Sequence, residues 1–138
     1  MTDPILFLKE CRDILFNSLK RNILDLELNV SLYQLKITFT TGFVLYIRYN
    51  EYNEYGYQLV FTKKKDNFVR WDNFDDRWDV STRPNHFHSR YNKDVHKSQM
   101  IGQPSKDMQI LSPSFEVLKL NVINIMFWVN GIFKFRIE

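Results

Sequence analysis

From Ile5 onward the apolar residues Ile5, Leu8, Cys11, Ile14 or Leu15 and Leu19 recur at three- and four-residue steps, opposite Lys9, Arg12, Asp13, Asn17 and Lys20. That period predicts an amphipathic helix over about Pro4 to Arg21, packed on one side. Asp3 followed by Pro4 marks its start, because a short carboxylate caps free first-turn amides and proline needs no amide partner there. From Leu24 the period changes to two. Leu24, Leu26, Leu28, Val30 and Leu32 alternate with polar residues, and after a one-residue slip near Tyr33 so do Leu35, Ile37 and Phe39. Such a slip is the trace of a β-bulge or a short break between strands. Thr41 and Gly42 form a turn, and the next strand carries Phe43, Leu45, Ile47 and Tyr49 in alternation. Asn50 to Gly56 reads as a polar connection, Tyr57 to Phe61 as a third strand, Lys63 to Asn67 as a charged turn and Phe68 to Asp72 as a fourth strand. Consecutive strands with short connections pair antiparallel, so a meander with one face under helices is expected.

After Asp72 the pattern is lost until Ser112. A loop of that length in a small domain is functional, disordered, or hides an element. Tyr91 to Met100 has room for a short helix. Ser112-Pro113-Ser114 with Glu116 starts a second helix, whose apolar line Phe115, Leu118, Val122, Ile125 or Met126 and Val129 ends near Gly131. The tail Ile132 to Glu138 also suits an edge strand. The expected fold is α+β in a single domain, 1–138: an N-terminal helix, an antiparallel meander of four to five strands, a long His-rich loop and a C-terminal helix.

With 138 residues the chain buries enough surface to fold without metal or disulfides. Its one cysteine, Cys11, lies on the apolar side of the predicted helix and reads as a core residue in a reducing, cytoplasmic setting. No signal peptide or membrane span is expected: Lys9, Glu10, Arg12 and Asp13 interrupt the first apolar run, and Val122 to Phe133 is too short. The net charge of +3 is modest but uneven. Lys63, Lys64, Lys65, Arg70, Arg77, Arg83, Arg90, Lys93, Lys97 and Lys106 gather around the loop, interleaved with Asp72, Asp75, Asp76, Asp79 and Asp94. That suits a phosphate-bearing partner in a field of mixed sign. Glycine is too scarce for a phosphate-cradling loop and no Walker or Rossmann pattern occurs, so nucleotide hydrolysis and redox chemistry are disfavoured and no cofactor is expected.

Phe68 to Gln99 concentrates the chemistry, holding all the histidines (His86, His88 and His96) together with Trp71 and Trp78. His86 and His88 are two positions apart, so on an extended segment both imidazoles project to one side, about 6–7 Å apart. That spacing suits three readings. The pair can act as general base and acid on a ribose 2′-hydroxyl and its leaving 5′-oxygen, with Arg83 or Arg90 holding the phosphate. It can bind a transition metal, with His96, Asp72 or Asp94 as third ligand. Or the histidines simply hydrogen-bond loop backbone.

A resemblance enters with two motifs. A strand ending in Arg70-Trp71-Asp72-Asn73, then a loop carrying Pro84-Asn85-His86-Phe87-His88, set between a meander and a C-terminal helix, resembles the TumE-type toxins of prokaryotic toxin–antitoxin operons over about Leu32 to Ile137. Asn85 stands where a further histidine is frequent, and the segment Phe74 to Arg83 is longer than usual. The resemblance implies a growth-inhibiting toxin, RNA-cleaving in its activity and neutralised by a small cognate antitoxin. The leading expectation is a metal-independent endoribonuclease. His86 and His88 form its acid–base pair, Arg83 and Arg90 its phosphate clamps, Asp72 orients a histidine, and Tyr91 assists. Lys63, Lys64, Lys65, Arg70, Trp71 and Lys93 are the expected RNA contacts. The rivals are a non-catalytic module that binds nucleic acid or protein, and a metal-dependent nuclease using His86, His88 and an aspartate. Exposed apolar surface on the Val122 to Phe133 helix would fit a partner or a homodimer.

Overall fold

A computed structural model describes residues 2–91, 94–114, 125–129 and 132–136, with residues 113–114 and the last two ranges described by backbone alone. Helix α1, Pro4–Leu19, starts where expected: Asp3 Oδ1 accepts from Ile5 N at 3.1 Å and Leu6 N at 3.2 Å. A single 3₁₀ turn, Lys20–Asn22, leads into β1, Ile23–Asn29. The slip near Tyr33 is a true break, since Tyr33 has φ +51° and closes a turn before β2, Gln34–Phe39. Then follow β3, Val44–Tyr49, β4, Tyr55–Val60, and β5, Phe68–Asp72. Tyr55 and Gly56, expected in a connection, already belong to β4.

Two expectations for the second half are corrected. The apparently patternless segment holds β6, His86–His88, and β7, Val95–Lys97, so the sheet has seven strands in the order β1 to β7, all antiparallel, and no helix forms over 95–97. Three-residue strands are too short to declare a period. The second helix, α2, runs Pro104–Ser114 and ends where it was expected to begin. Ile125–Val129 and Ile132–Arg136 are not helical; they form a separate antiparallel pair, β8 and β9. The helical face expected over Val122 to Phe133 is therefore absent from its described part, and residues 115–124 and 130–131 lie outside the described residues.

Strand alternation sorts the seven-stranded sheet into two faces. Leu35, Ile37, Leu45, Ile47, Tyr57, Leu59, Val69, Trp71 and Phe87 fill one, and Leu8, Cys11 and Leu15 of α1 with Met108 and Leu111 of α2 close over it. The other face carries Lys36, Tyr46, Arg48, Gln58, Arg70, Asp72, His86 and His88.

The entry to α2 is held from the core. Gly102 has φ +87°, and a Cβ there would sit 2.8 Å from the buried Tyr55 ring. That ring is fixed by its hydroxyl, 2.7 Å from Asn85 Oδ1 and 3.2 Å from the Met100 carbonyl oxygen. Gly102→Ala therefore combines left-handed backbone strain with a clash against an immobile ring. It is expected to lower the unfolding free energy by about 2–4 kcal/mol, read as a shifted denaturant midpoint at unchanged slope.

Candidate functional site

Arg70, Trp71 and Asp72 alternate along β5, and His86, Phe87 and His88 along β6. Trp71 and Phe87 pair towards the core with ring centroids 5.3 Å apart. This leaves Arg70 opposite His88 and Asp72 opposite His86 on the open face. The two imidazoles share a side, with ring centroids 4.7 Å apart. Trp78, from the loop after β5, lies over both, 5.9 Å from the His86 ring and 5.7 Å from the His88 ring. Arg77 stacks in turn on Trp78 at 4.6 Å.

The two histidines live in different surroundings. His86 is buried; its Nδ1 lies 2.9 Å from the Pro84 carbonyl oxygen and its Nε2 2.6 Å from Asp72 Oδ1. A carbonyl can only accept, so Nδ1 carries a hydrogen, and the close Nε2–Oδ1 contact needs a second proton between ring and carboxyl. Asp72 and His86 therefore share one proton. Burial raises the Asp72 carboxyl above its ordinary range, against the pull of Arg70 and His86.

His88 is the opposite case. Its Nε2 faces Arg70 Nη2 at 3.3 Å, and a guanidinium can only donate, so this nitrogen is an unprotonated acceptor. Its pKa is lowered to about 4 by burial, then by the charges of Arg70, His86 and Arg77. Arg70 Nε also lies 2.6 Å from Asp72 Oδ2 as an ion pair, although its N–H is not aimed along that line. His88 is the accessible one of the two imidazoles, with its side chain 17% exposed against 2% for His86. It lines a cavity of about 260 Å³ together with Arg70, Asp72, Arg77 and Trp78.

These protonation states carry a stability consequence. An unfolded histidine takes a proton near pH 6.5, folded His88 only near pH 4, so between those values the unfolded chain binds more protons. The His88 contribution is complete above about pH 6.5 and is lost as pH falls towards 4. Asp72, with its raised carboxyl, acts in the opposite sense, but in both wild type and variant. Unfolding titrations of wild type and His88→Gln from pH 7 to 4 should therefore show their stability difference drifting in favour of the variant as pH drops.

Other sequence-predicted residues lie elsewhere. Arg83 is bound to the Asp76 carboxylate and carbonyl, and Arg90 stacks on Phe61 and Tyr91 and donates to Asn67. The guanidinium charges that reach His88 are those of Arg70 and Arg77 instead. Tyr91 is exposed beside Arg90. Trp71, expected to contact RNA, is buried beneath the helices because alternation turns it away from Arg70 and Asp72. Lys63, Lys64 and Lys65 occupy the exposed β4–β5 turn, and Lys93 lies outside the described residues. His96 packs on Phe87, on the helix-covered side. Neither it nor Asp94 joins Asp72, His86 and His88, the one described set of three or more metal-type donors, whose ligand atoms all lie within 4.8 Å of one another. Sequence reasoning assigned no site role to Arg77 or the Pro84 carbonyl.

The profile of the family described as Toxin TumE matches residues 9–113 of this chain. The chain belongs to the TumE toxin family. The match runs from within α1 to within the last turn of α2, so it takes in the seven-stranded sheet and the Asp72–His86–His88 site, and it stops before the β8–β9 pair. TumE membership makes the chain a toxin and implies a cognate antitoxin as its partner. No curated protein and no solved structure matches the chain. Among the described residues no helix is long and apolar enough to cross a membrane.

Proposed function

We propose that this toxin cuts RNA without a metal ion. His88 Nε2 takes the proton of a ribose 2′-hydroxyl, the oxygen attacks the adjacent phosphorus, and the bond from phosphorus to the 5′-oxygen breaks. The proton shared by Asp72 and His86 passes to that leaving oxygen through the Asp72 carboxyl, which borders the cavity. The products are a 2′,3′-cyclic phosphate and a 5′-hydroxyl end. Arg70 and Arg77 hold the phosphate. Once its charge offsets theirs, the His88 pKa rises towards the neutral range in which an imidazole base works best.

The observation that carries this reading is the pairing of an unprotonated imidazole with a proton-holding carboxyl–imidazole couple, Asp72 Oδ2 lying 3.7 Å from His88 Nε2. Neighbouring titratable groups with opposite protonation states are the mark of an acid–base pair. His86 then acts through Asp72, because both its nitrogens are engaged.

One feature favours a metal-dependent nuclease as a second reading. Asp72, His86 and His88 fit a divalent ion as a donor set, and an imidazole whose other nitrogen donates to a carbonyl, as His86 does to Pro84, is typical of metal-bound histidine. Against it, the Arg70 guanidinium already places a positive charge at two of these donors. The deciding experiment is cleavage of a single-stranded RNA by the purified toxin with and without a chelator, alongside the same RNA carrying a 2′-deoxyribose at the cut. Activity that survives chelation and fails on the 2′-deoxy substrate supports the first reading. Loss on chelation with recovery on adding a divalent ion supports the second, and binding without any turnover removes both.

A further inference from the structure

The open face of the sheet carries more than the histidine site. Lys36 on β2 pairs with Tyr46 on β3, Tyr46 with Gln58 on β4, Gln58 with Arg70 on β5, and Arg70 with His88 on β6. Register partners on adjacent strands lie about 4.8 Å apart, so these five side chains form one row about 19 Å long that ends on His88. A second row runs beside it through Gln34, Arg48, Gly56, Asp72 and His86. Where the second row reaches Gly56 there is no side chain, and a groove of about 910 Å³ opens over Tyr46, Arg48, Gly56 and Gln58. Arg70, Asp72, Phe74 and Asp75 border both this groove and the His88 cavity, so the two adjoin.

We infer that this groove is the track along which single-stranded RNA reaches His88. The inference rests on the RNA-cleavage reading for its ligand and extends it across the sheet. Lys36, Arg48 and Arg70 offer positive charge to a phosphate backbone, and Lys36 already lies over the Tyr46 ring at 5.9 Å. Tyr46 and Phe74 present rings on which unpaired bases stack, and Gln34 and Gln58 present amides that meet base edges in either sense. Acids flank the row at both ends: the exposed Glu27 on β1 is the register partner of Lys36, and Asp72 and Asp75 lie at the histidine end, where Asp72 is engaged by Arg70 and His86. Between them Tyr46, Arg48 and Gln58 meet no acid of the groove lining. Glycine within a strand marks a place where another chain comes close, and Gly56 has ordinary contacts to spare, its nearest neighbour to an added Cβ being Phe74 at 3.7 Å.

The test is fluorescence anisotropy of a labelled, unstructured single-stranded RNA with full-length His88→Ala toxin, which binds without cutting. Added to that background, Tyr46→Ala and Arg48→Glu are each expected to weaken binding about tenfold or more, and Arg48→Ala to reduce the salt slope of affinity by about one. Arg12→Glu, an equal change of charge on α1, should bind as the background does. In the active toxin the same groove changes should raise KM for this RNA far more than they lower kcat. Groove variants that bind and cleave the RNA with the parent's affinity and KM overturn the inference. So do variants that keep RNA binding but escape neutralisation by the antitoxin, which would give the groove to a protein partner. A wild-type toxin that binds through the groove yet never cuts upholds the track and removes the cleavage reading instead.

Discussion

His88→Ala is expected to lower RNA cleavage by about two to four orders of magnitude, and growth arrest on expression with it, while leaving the fold intact. The side chain is partly open to the cavity, and it meets Arg70 and Asp72, which keep each other as partners when it is removed. His86→Ala is a poorer probe, because it strips partners from the buried Asp72 carboxyl and the Pro84 carbonyl together, so lost activity would mix chemistry with unfolding. His96→Gln serves as the matched control: its ring packs on Phe87 behind the sheet, and its activity should equal wild type. Unchanged cleavage in His88→Ala would end the acid–base assignment. Asp72→Asn completes the argument from the acid side, since the amide keeps the shape of the carboxylate but cannot deliver the shared proton. It should lose cleavage while retaining the wild-type circular dichroism spectrum.

The largest expected loss of stability belongs to Asp107→Ala, about 3–5 kcal/mol by chemical denaturation. Asp107 is buried at the start of α2 and accepts from Tyr57 Oη at 2.6 Å, Gly102 N at 2.7 Å and Ile101 N at 3.0 Å. Tyr57 Oη lies 2.6 Å from Tyr49 Oη, which lies 3.6 Å from Cys11 Sγ. Because Tyr57 gives its proton to Asp107, Tyr49 must donate to Tyr57 and the thiol to Tyr49. A single buried relay thus ties α1 to β3, β4 and α2. Burial pushes the Cys11 thiol up to about 12, which suits a relay donor and disqualifies it as a nucleophile. Removing the carboxylate strands two amides and a hydroxyl away from water, whereas Tyr57→Phe leaves Asp107 its amide donors and should cost clearly less. Equal losses in the two variants would mean that the carboxylate anchors nothing beyond that hydroxyl.

The first half of the chain was readable because each element there is long enough to show its period. Sixteen residues of α1 and the six-residue strands β2, β3 and β4 repeat their burial several times. Beyond Asp72 that advantage disappears. His-Phe-His is a strand whose alternation is polar, apolar, polar, and α2 mixes the polar Asp107 and Ser112 with Pro104, Met108 and Leu111 among its described buried residues. The C-terminal error has a plainer cause. Ile125–Val129 and Ile132–Arg136 are rich in β-branched and aromatic residues and are separated by Asn130-Gly131, a strong hairpin signal, while their apolar spacing also satisfies a helix.

At the site the division is equally physical. That Arg70 and Asp72 share a side, and His86 and His88 likewise, follows from the stereochemistry of any extended chain, so the residues themselves determined it. Which of those pairs would meet depended on β5 lying beside β6 in one register, with Trp71 set against Phe87 in the core. That choice is made by long-range packing. It alone put Asp72 against His86 and Arg70 against His88, left one imidazole sealed and the other open, and brought Arg77 near them in place of Arg83 and Arg90.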